Sequence, residues 1–210
     1  MRAAWYAEFG EAKDIFQTGE QDTPVAGDGE VLVRVHATGI NPLDVKRRAG
    51  LRGPMMGDVM IPHFDGAGVI EAVGAGVDAG RVGERVWLFE GHMRRANGTA
   101  AEYIAIDATR ANLLPEGQSF AAGACLGIPA MTAHAAVFTD GPVDGQTILV
   151  TGAAGAVGNY AVQMARNGGA TVIGTVSSDE KAARAMEDGA AHTINYKTED
   201  VAARVKELTD

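Results

Sequence analysis

The chain is poor in cysteine, in basic residues and in aromatic side chains, and it has no long apolar run. One cysteine in 210 residues excludes an internal disulfide and any thiolate-rich zinc site. That residue, Cys125, lies between Ala124 and Leu126, an apolar setting that reads as a buried, inert thiol rather than a nucleophile. Lysine and arginine number 18 against 27 aspartate and glutamate, for a net charge of −9. This balance argues against nucleic acid or an anionic membrane as partner, while leaving room for a local basic pocket that takes phosphate. No segment reaches the length of a membrane span. The first residues, Met1 to Glu8, have no apolar core of signal-peptide type, so the expected location is cytoplasmic. Internal repeats and low-complexity tracts are also missing.

What is present is ordinary in bulk: 46% hydrophobic and 21% charged residues, the balance of a soluble globular protein of one large or two modest domains. The 28 glycines are scattered at turns, as expected of many short strands. Up to residue 118 the pattern is β-rich. Val31–Ala37 alternates like a half-buried strand. Gly68–Gly74, Arg85–Phe89 and Glu102–Ile106 are further strands, separated by Gly, Pro and Asp clusters. Leu43–Ala49 reads as a short helix. Irregularly spaced short strands predict a partly open β-barrel.

From residue 119 the pattern changes. An alanine-rich helical stretch, 120–138, is interrupted at Pro129. Strands at 148–150, 171–176 and 192–195 then alternate with helices at 156–167, 179–188 and 199–208, which predicts a parallel sheet with right-handed crossovers. The expected division is therefore 1–118 and 119–210, a β domain followed by an α/β domain. Three strands are half of the six in a doubly wound dinucleotide-binding sheet. The chain reads as truncated after Asp210, with an open sheet edge that needs a cover.

The run Ile148-Leu149-Val150-Thr151-Gly152-Ala153-Ala154-Gly155-Ala156-Val157-Gly158 carries the chemistry. A strand meets a glycine turn, and a helix follows at once. With Ala153 in the first glycine position the pattern is A-x-G-x-x-G. Gly155 lets the backbone approach a pyrophosphate, Gly158 lets the helix pack closely, and free N–H groups at the helix start face phosphate. After the second strand, where an NAD enzyme places a carboxylate for the ribose 2′-hydroxyl, this chain has Ser177-Ser178, with Lys181 close behind. Two hydroxyls and an ammonium favour a 2′-phosphate, hence NADP(H). Ser178 also suits a helix N-cap, Lys181 a solvated face, and Asp179-Glu180 the first turn of a helix.

Several further segments, in order along the chain, carry a resemblance. They are Gly39-Ile40-Asn41-Pro42-Leu43-Asp44, Ile61-Pro62-His63-Phe64-Asp65-Gly66-Ala67-Gly68-Val69, Gly83-Glu84-Arg85-Val86 and Ala101-Glu102-Tyr103. Ile128-Pro129-Ala130-Met131-Thr132-Ala133, Gly152–Gly158, Gly174–Ser178 and Ile194-Asn195-Tyr196 complete them. Together they resemble the quinone oxidoreductase (ζ-crystallin-like) branch of the medium-chain dehydrogenase/reductases. The resemblance implies a GroES-like catalytic domain followed by an incomplete Rossmann domain, NADPH as cofactor, a quinone or similar conjugated carbonyl as substrate, and a homodimer. It matches Ala154, Gly155, Ala156 and Val157 to the pyrophosphate loop and Ser177, Lys181 and Tyr196 to the group around the 2′-phosphate. Asn41 and Thr132 match positions beside the nicotinamide. Lys46 falls where many relatives carry a cofactor-contacting tyrosine.

Zinc alcohol dehydrogenases of the same superfamily put cysteine and histidine on the metal where this chain has Asn41 and Phe64, so no zinc is expected. Hydride transfer to an electron-poor acceptor then falls to the cofactor, with the protein supplying position and electrostatics. Asn41 either donates to a carbonyl, orders the ribose, or serves as a turn residue before Pro42. Asp44 either polarises through water or starts the helix, and Thr132 either orients the cofactor amide or simply sits in a helix. Arg52 stands where related enoyl reductases use a tyrosine, and would suit an anionic acceptor. The expectation is an NADPH-dependent quinone reductase. Its alternatives are a zinc-free enoyl or alkenal reductase, a zinc alcohol dehydrogenase, and an inactive or binding-only chain.

Overall fold

The computed structural model describes residues 1–209. They form two compact units that divide between Ile128 and Pro129, rather than between 118 and 119. The reason is packing. Strands β1 (Arg2–Trp5), β2 (Gln17–Glu20), β3 (Glu30–Gly39), β4 (Asp65–Val73), β5 (Arg85–Leu88), β6 (Tyr103–Asp107) and β7 (Ala111–Leu113) belong to the first unit, with helices α1 (Ala12–Ile15) and α2 (Pro42–Arg48). Helix α3 (Phe120–Gly123) lies on this sheet. Ala67 and Leu114 bury against Ala124, with Trp87, Phe120 and Leu126 at the margin, so the chain past residue 118 is still part of the first unit's core.

In the first unit β1 and β2 form a separate antiparallel pair. The other five strands make an antiparallel sheet in the order β6-β3-β4-β5-β7. Alternation puts Val31 and Val33 of β3 on the inner face, opposite Ile106 and Ile104 of β6; Ile70, Val86 and Leu88 join them in the core. Edge strands β6 and β7 do not pair, so there is no closed barrel among the described residues. The sheet is nonetheless curled, and the chain itself requires it. The edges of five flat strands would lie about 19 Å apart, yet only Ala108–Arg110 links β6 to β7, a strap whose Cα atoms span at most about 15 Å. Arg81 fastens the strap, donating to Ala108 O at 2.9 Å and Ala111 O at 2.6 Å, with Glu84 on its Nε at 2.8 Å. A register shift between Val35 and Ala37 leaves His36 as the extra residue of a β-bulge, and its ring stacks on Phe120 at 4.4 Å.

The second unit carries α4 (Met131–Phe138), β8 (Thr147–Val150), α5 (Ala156–Asn167), β9 (Thr171–Val176), α6 (Asp179–Glu187), β10 (His192–Asn195) and α7 (Val201–Thr209). Its strands are parallel, in the order β10-β9-β8, as the alternating pattern predicts. The helical stretch expected over 120–138 is three pieces. Between α3 and α4 the chain makes a π-helical turn, Leu126–Ala130, that contains Pro129, whose ring nitrogen has no hydrogen to donate. The core is largely alanine and valine: Ala153, Ala161, Val162, Ala165, Val172 and Ala185 are all buried. Such small side chains let helix and sheet approach closely. Cys125 is exposed, contrary to the apolar setting of its neighbours, because Ala124 takes the inward position at the end of α3.

Close approach is needed at Gly158, where a Cβ would overlap the carbonyl oxygen of Gly152. Gly158→Ala is expected to destabilise the second unit by about 1–3 kcal/mol. Gly155→Ala, whose Cβ would meet only that same oxygen at 3.2 Å, should cost less. Urea unfolding of the two variants, followed by far-UV circular dichroism, measures the difference.

A glycine turn, a basic strand tip and a buried polar cluster

In the second unit the glycine turn is tied to the next strand. Gly152 N–H donates to Thr175 Oγ1 at 3.0 Å, and Ala153 N–H to Thr175 O at 3.0 Å. Gly152 has φ +65°, a left-handed conformation that costs an L side chain about 1–2 kcal/mol. Gly155 is the N-cap of α5. The first helical bond runs from Asn159 N–H to Gly155 O at 2.8 Å. The N–H groups of Ala156, Val157 and Gly158 therefore lie in the first turn, where no intrahelical acceptor exists. The positive end of the α5 dipole adds to them.

Beside this turn a cavity of about 160 Å³ is lined by Gly152, Ala154, Gly155, Thr175, Val176, Ser177, Lys181 and Tyr196. Lys181 Nζ donates to Ser177 Oγ at 3.0 Å, and it is the only charged residue in that lining. Five of the sequence-predicted positions thus come together: Ala154, Gly155, Ser177, Lys181 and Tyr196. Ser178 does not join them. Its hydroxyl accepts from Lys181 N–H at 3.4 Å as the N-cap of α6. Val157 and Gly158 line a different cavity, of about 420 Å³, bounded by Ile148 and Leu149 of β8 and by Pro142 and Val143. Ala156 is exposed on the first turn of α5. Thr175, which holds the turn in place, is missing from the sequence-predicted set. The signal was its position at the end of β9, next to the serines.

The other predicted residues are dispersed. Thr132 stands exposed on the first turn of α4 in the second unit, and Lys46 is exposed on α2 in the first. Asn41 and Asp44 are buried in the first unit. Asn41 caps α2, with Pro42 at the first helical position. Its backbone N–H donates to Asp44 Oδ2 at 2.7 Å, while Asp44 N–H donates to Asn41 O at 3.0 Å. Asp44 therefore does start the helix, as one of its two readings had it.

Sequence reasoning missed what surrounds this cap. Asp65, 1% exposed, accepts from Asn41 Nδ2 at 2.8 Å and from Ile128 N–H at 3.0 and 2.9 Å. Phe64 is buried, its ring 5.5 Å from that of His92 and under the Arg47 guanidinium at 5.7 Å. Arg47 donates to His92 O at 2.8 Å. His63 adopts φ +77°, and its Nδ1 shares a hydrogen bond of 3.0 Å with Thr38. Tyr6 Oη, Asp44 Oδ1, Arg47 Nε and both ring nitrogens of His92 are buried without a hydrogen-bond partner among the described residues. Burial pushes the Asp44 carboxyl up to about 6, opposed by the Asn41 N–H and helped by the Asp65 carboxylate. Burial, with the Arg47 cation nearby, holds His92 down at about 3.

These two groups have opposite pH signatures. Asp44 is protonated in the folded state up to about pH 6 but in the unfolded chain only below 3.8, so its contribution to stability falls as pH rises from about 4 to 6. His92 stays neutral in the folded state down to about 3 while the unfolded chain binds its proton below 6.5, so its contribution rises with pH over that range. Each slope is at most about 1.4 kcal/mol per pH unit, and they oppose each other between pH 4 and 6. Asp44→Asn should leave the His92 slope exposed, with stability falling as the solution is acidified from pH 6.5. His92→Leu should leave the Asp44 slope, with stability rising on acidification from pH 6 to 4. Denaturant midpoints across pH test both signs.

Residues 27–116 match the alcohol dehydrogenase GroES-like domain, and residues 156–210 match the family model described as zinc-binding dehydrogenase. The quinone oxidoreductase of Rattus norvegicus is 34% identical over 207 residues, which cover 98% of this chain and 62% of the relative. The chain thus spans about 62% of the length of such relatives. The structure of Escherichia coli quinone oxidoreductase complexed with NADPH superposes with a TM-score of 0.84 at 30% identity, covering 100% of this chain and 63% of that one. An NAD-dependent alcohol dehydrogenase superposes with a TM-score of 0.91 at 30% identity, covering 100% and 67%. The chain belongs to the quinone oxidoreductase branch of the medium-chain dehydrogenase/reductases, with a GroES-like unit followed by a Rossmann-type unit.

Proposed function

We propose that this chain is the part of an NADPH-dependent, metal-free oxidoreductase that carries the first unit as catalytic domain and the second as cofactor domain, acting on quinones or similar conjugated carbonyls. The observation that supports it most is the small cavity at the β9 tip. Its rim is made of backbone at Gly152 and Gly155, and its wall of Ser177 and Lys181 with no carboxylate. That donor set, an ammonium beside a hydroxyl, fits a phosphate monoester. A bare ribose diol would call for an acceptor such as aspartate in the same place.

When bound, NADPH would supply the hydride. The roles left to the chain are positioning and electrostatics. Gly152 and Gly155 leave the turn low enough for pyrophosphate to approach. Thr175 fixes the height of that turn through its two hydrogen bonds. Lys181 and Ser177 would bind the 2′-phosphate, and the Tyr196 ring, 53% exposed, offers a flat apolar face beside them. In the first unit Asn41 would be the group beside the nicotinamide, and Asp44, neutral up to about pH 6, holds the turn on which Asn41 sits. The metal-free reading is supported by the Asn41 amide, which is committed to Asp65, and by Phe64, which has no ligand atom.

Titration of the 210-residue chain with NADPH and NADH, followed by nicotinamide fluorescence, is expected to show tighter binding of NADPH. Lys181→Met should weaken NADPH by roughly 10- to 100-fold, the loss of one hydrogen bond to a charged group, and leave NADH nearly unchanged. Equal binding of the two cofactors would overturn the phosphate assignment. Metal analysis of the purified chain should find less than stoichiometric zinc, and steady-state turnover with NADPH should favour quinones over alkenals.

A further inference from the structure

His63 belongs to the first unit and has no part in the helix cap or the apolar core. Its φ is +77°, in the left-handed region that residues with a Cβ seldom enter. The segment beside it clamps the backbone in place. Thr99 N–H donates to His63 O at 3.0 Å, and a Cβ on Gly98 would overlap the carbonyl oxygens of Pro62 and His63. Strain held by its surroundings clusters at functional sites.

The ring is anchored by two hydroxyls whose hydrogens can be counted, one on each. Thr99 Oγ1 lies 2.6 Å from Asp65 O, and a carbonyl has no hydrogen to give, so Thr99 donates there. Thr38 Oγ1 lies 2.7 Å from Thr99 Oγ1. With the Thr99 hydrogen spent, Thr38 is the donor of that bond. Thr38 Oγ1 is also 3.3 Å from Asp65 O, and donation there would spend the same hydrogen. The 3.0 Å contact between Thr38 Oγ1 and His63 Nδ1 then draws its hydrogen from the imidazole. The reverse arrangement, with Thr38 donating to His63, leaves one of the two short oxygen–oxygen contacts without a hydrogen. The network therefore assigns neutral His63 as the Nδ1–H tautomer, with the lone pair on Nε2. Nε2 has no hydrogen-bond partner among the described residues. It is not one of the fully buried orphaned atoms, whereas both ring nitrogens of His92 are. His63 is half-buried, so its Nε2 opens to solvent. Burial holds the ring below its usual proton affinity. The tautomer matters when the ring titrates. A proton added at Nε2 leaves the Nδ1–H bond to Thr38 intact, so the ring is charged and discharged without moving. The opposite tautomer would break its anchor each time, because the incoming proton would take the Nδ1 lone pair.

We propose that His63 is the proton-exchange site of the first unit, with Thr38 and Thr99 as the positioning residues that fix its tautomer. This rests on the reading of that unit as catalytic. Hydride transfer to a conjugated carbonyl leaves the added electron pair as negative charge on the carbonyl oxygen, which takes up one proton. That proton passes from Nε2–H to the oxygen, the N–H electron pair returns to Nε2 as its lone pair, and solvent restores the proton. The titratable groups that face His63 are Asp44 of α2, whose carboxyl meets the His63 N–H, His92, and Asp65 at the start of β4.

The ¹⁵N shifts of the imidazole nitrogens in the labelled 210-residue chain report the tautomer, and His63→Asn identifies the signals. At neutral pH the wild type should show a protonated Nδ1 and a bare Nε2. Thr99→Val frees the Thr38 hydrogen for Nδ1 and should turn His63 to the Nε2–H tautomer. Thr38→Val removes the anchor and should also lose the Nδ1–H preference; Thr38 is exposed, so this variant serves if Thr99→Val does not fold. A purely structural role for the two threonines would lower stability and leave the tautomer where it was. A wild-type Nε2–H tautomer, or a tautomer that neither substitution moves, overturns the anchoring. The proton role is read from NADPH oxidation by 9,10-phenanthrenequinone, an acceptor with no free conjugate position to alkylate Cys125. His63→Asn, with a side chain that tolerates positive φ, should slow turnover at least about tenfold and leave NADPH binding unchanged. An unchanged rate in that variant sinks this inference alone. A wild-type chain that binds NADPH without turnover overturns the catalytic reading of the first unit and the proton's destination with it.

Discussion

The hydrogen bonds from the glycine turn to Thr175 are the constraint on which the second unit depends. A parallel sheet by itself leaves the turn after β8 free to rise or fall. Anchoring Gly152 and Ala153 to the side chain and carbonyl of one residue on β9 makes the loop part of the sheet. The start of α5, the tip of β9 and the start of α6 then share one frame. Lys181 reaches Ser177 within that frame, so a local basic spot can exist on a chain whose net charge is −9.

The first unit solves a different problem. Its sheet has an apolar inner face, but around α2 it buries Asn41, Asp44, Arg47, Arg48, Asp65 and His92. Burying so many polar groups is unfavourable unless they pair, and only some do. Asp65 is well paired, whereas Asp44 and His92 keep orphaned atoms and shifted proton affinities in opposite directions. Clusters of this kind are common where a protein keeps polar groups ready for something other than stability. This one lies beside the residue that the family resemblance places near the cofactor.

The sequence made the second unit almost fully legible. Periodicity located each strand and helix after Thr147, and the glycine pattern located the turn, because local rules govern a βα unit and little long-range information is needed. The family motifs likewise singled out Ser177, Lys181 and Tyr196, which line one cavity. The first unit was read less completely. Strands β1, β2 and β7 are short, and their existence depends on partners far along the chain, such as Trp5 on Gln17 or Leu113 on Val86. Asp65 was quoted within a motif but given no task, since its importance comes from Asn41 and Ile128, distant neighbours brought together only by folding. Cys125 shows the same limit in reverse: apolar neighbours in sequence did not mean burial, since successive residues at a helix end face different ways.

The strap between β6 and β7 has a consequence for everything inside the curled sheet. With both edges held by three residues and by the Arg81 guanidinium, the arc has a perimeter set by chain geometry rather than by the side chains it encloses. A core of fixed perimeter has little freedom to contract. Where Val31, Ile70, Leu88 or Ile106 loses volume, the sheet has nowhere to settle, and the resulting space stays open. Such a core sits toward the costly end of the range for large-to-small changes, and it admits chemical variation more readily in kind than in size.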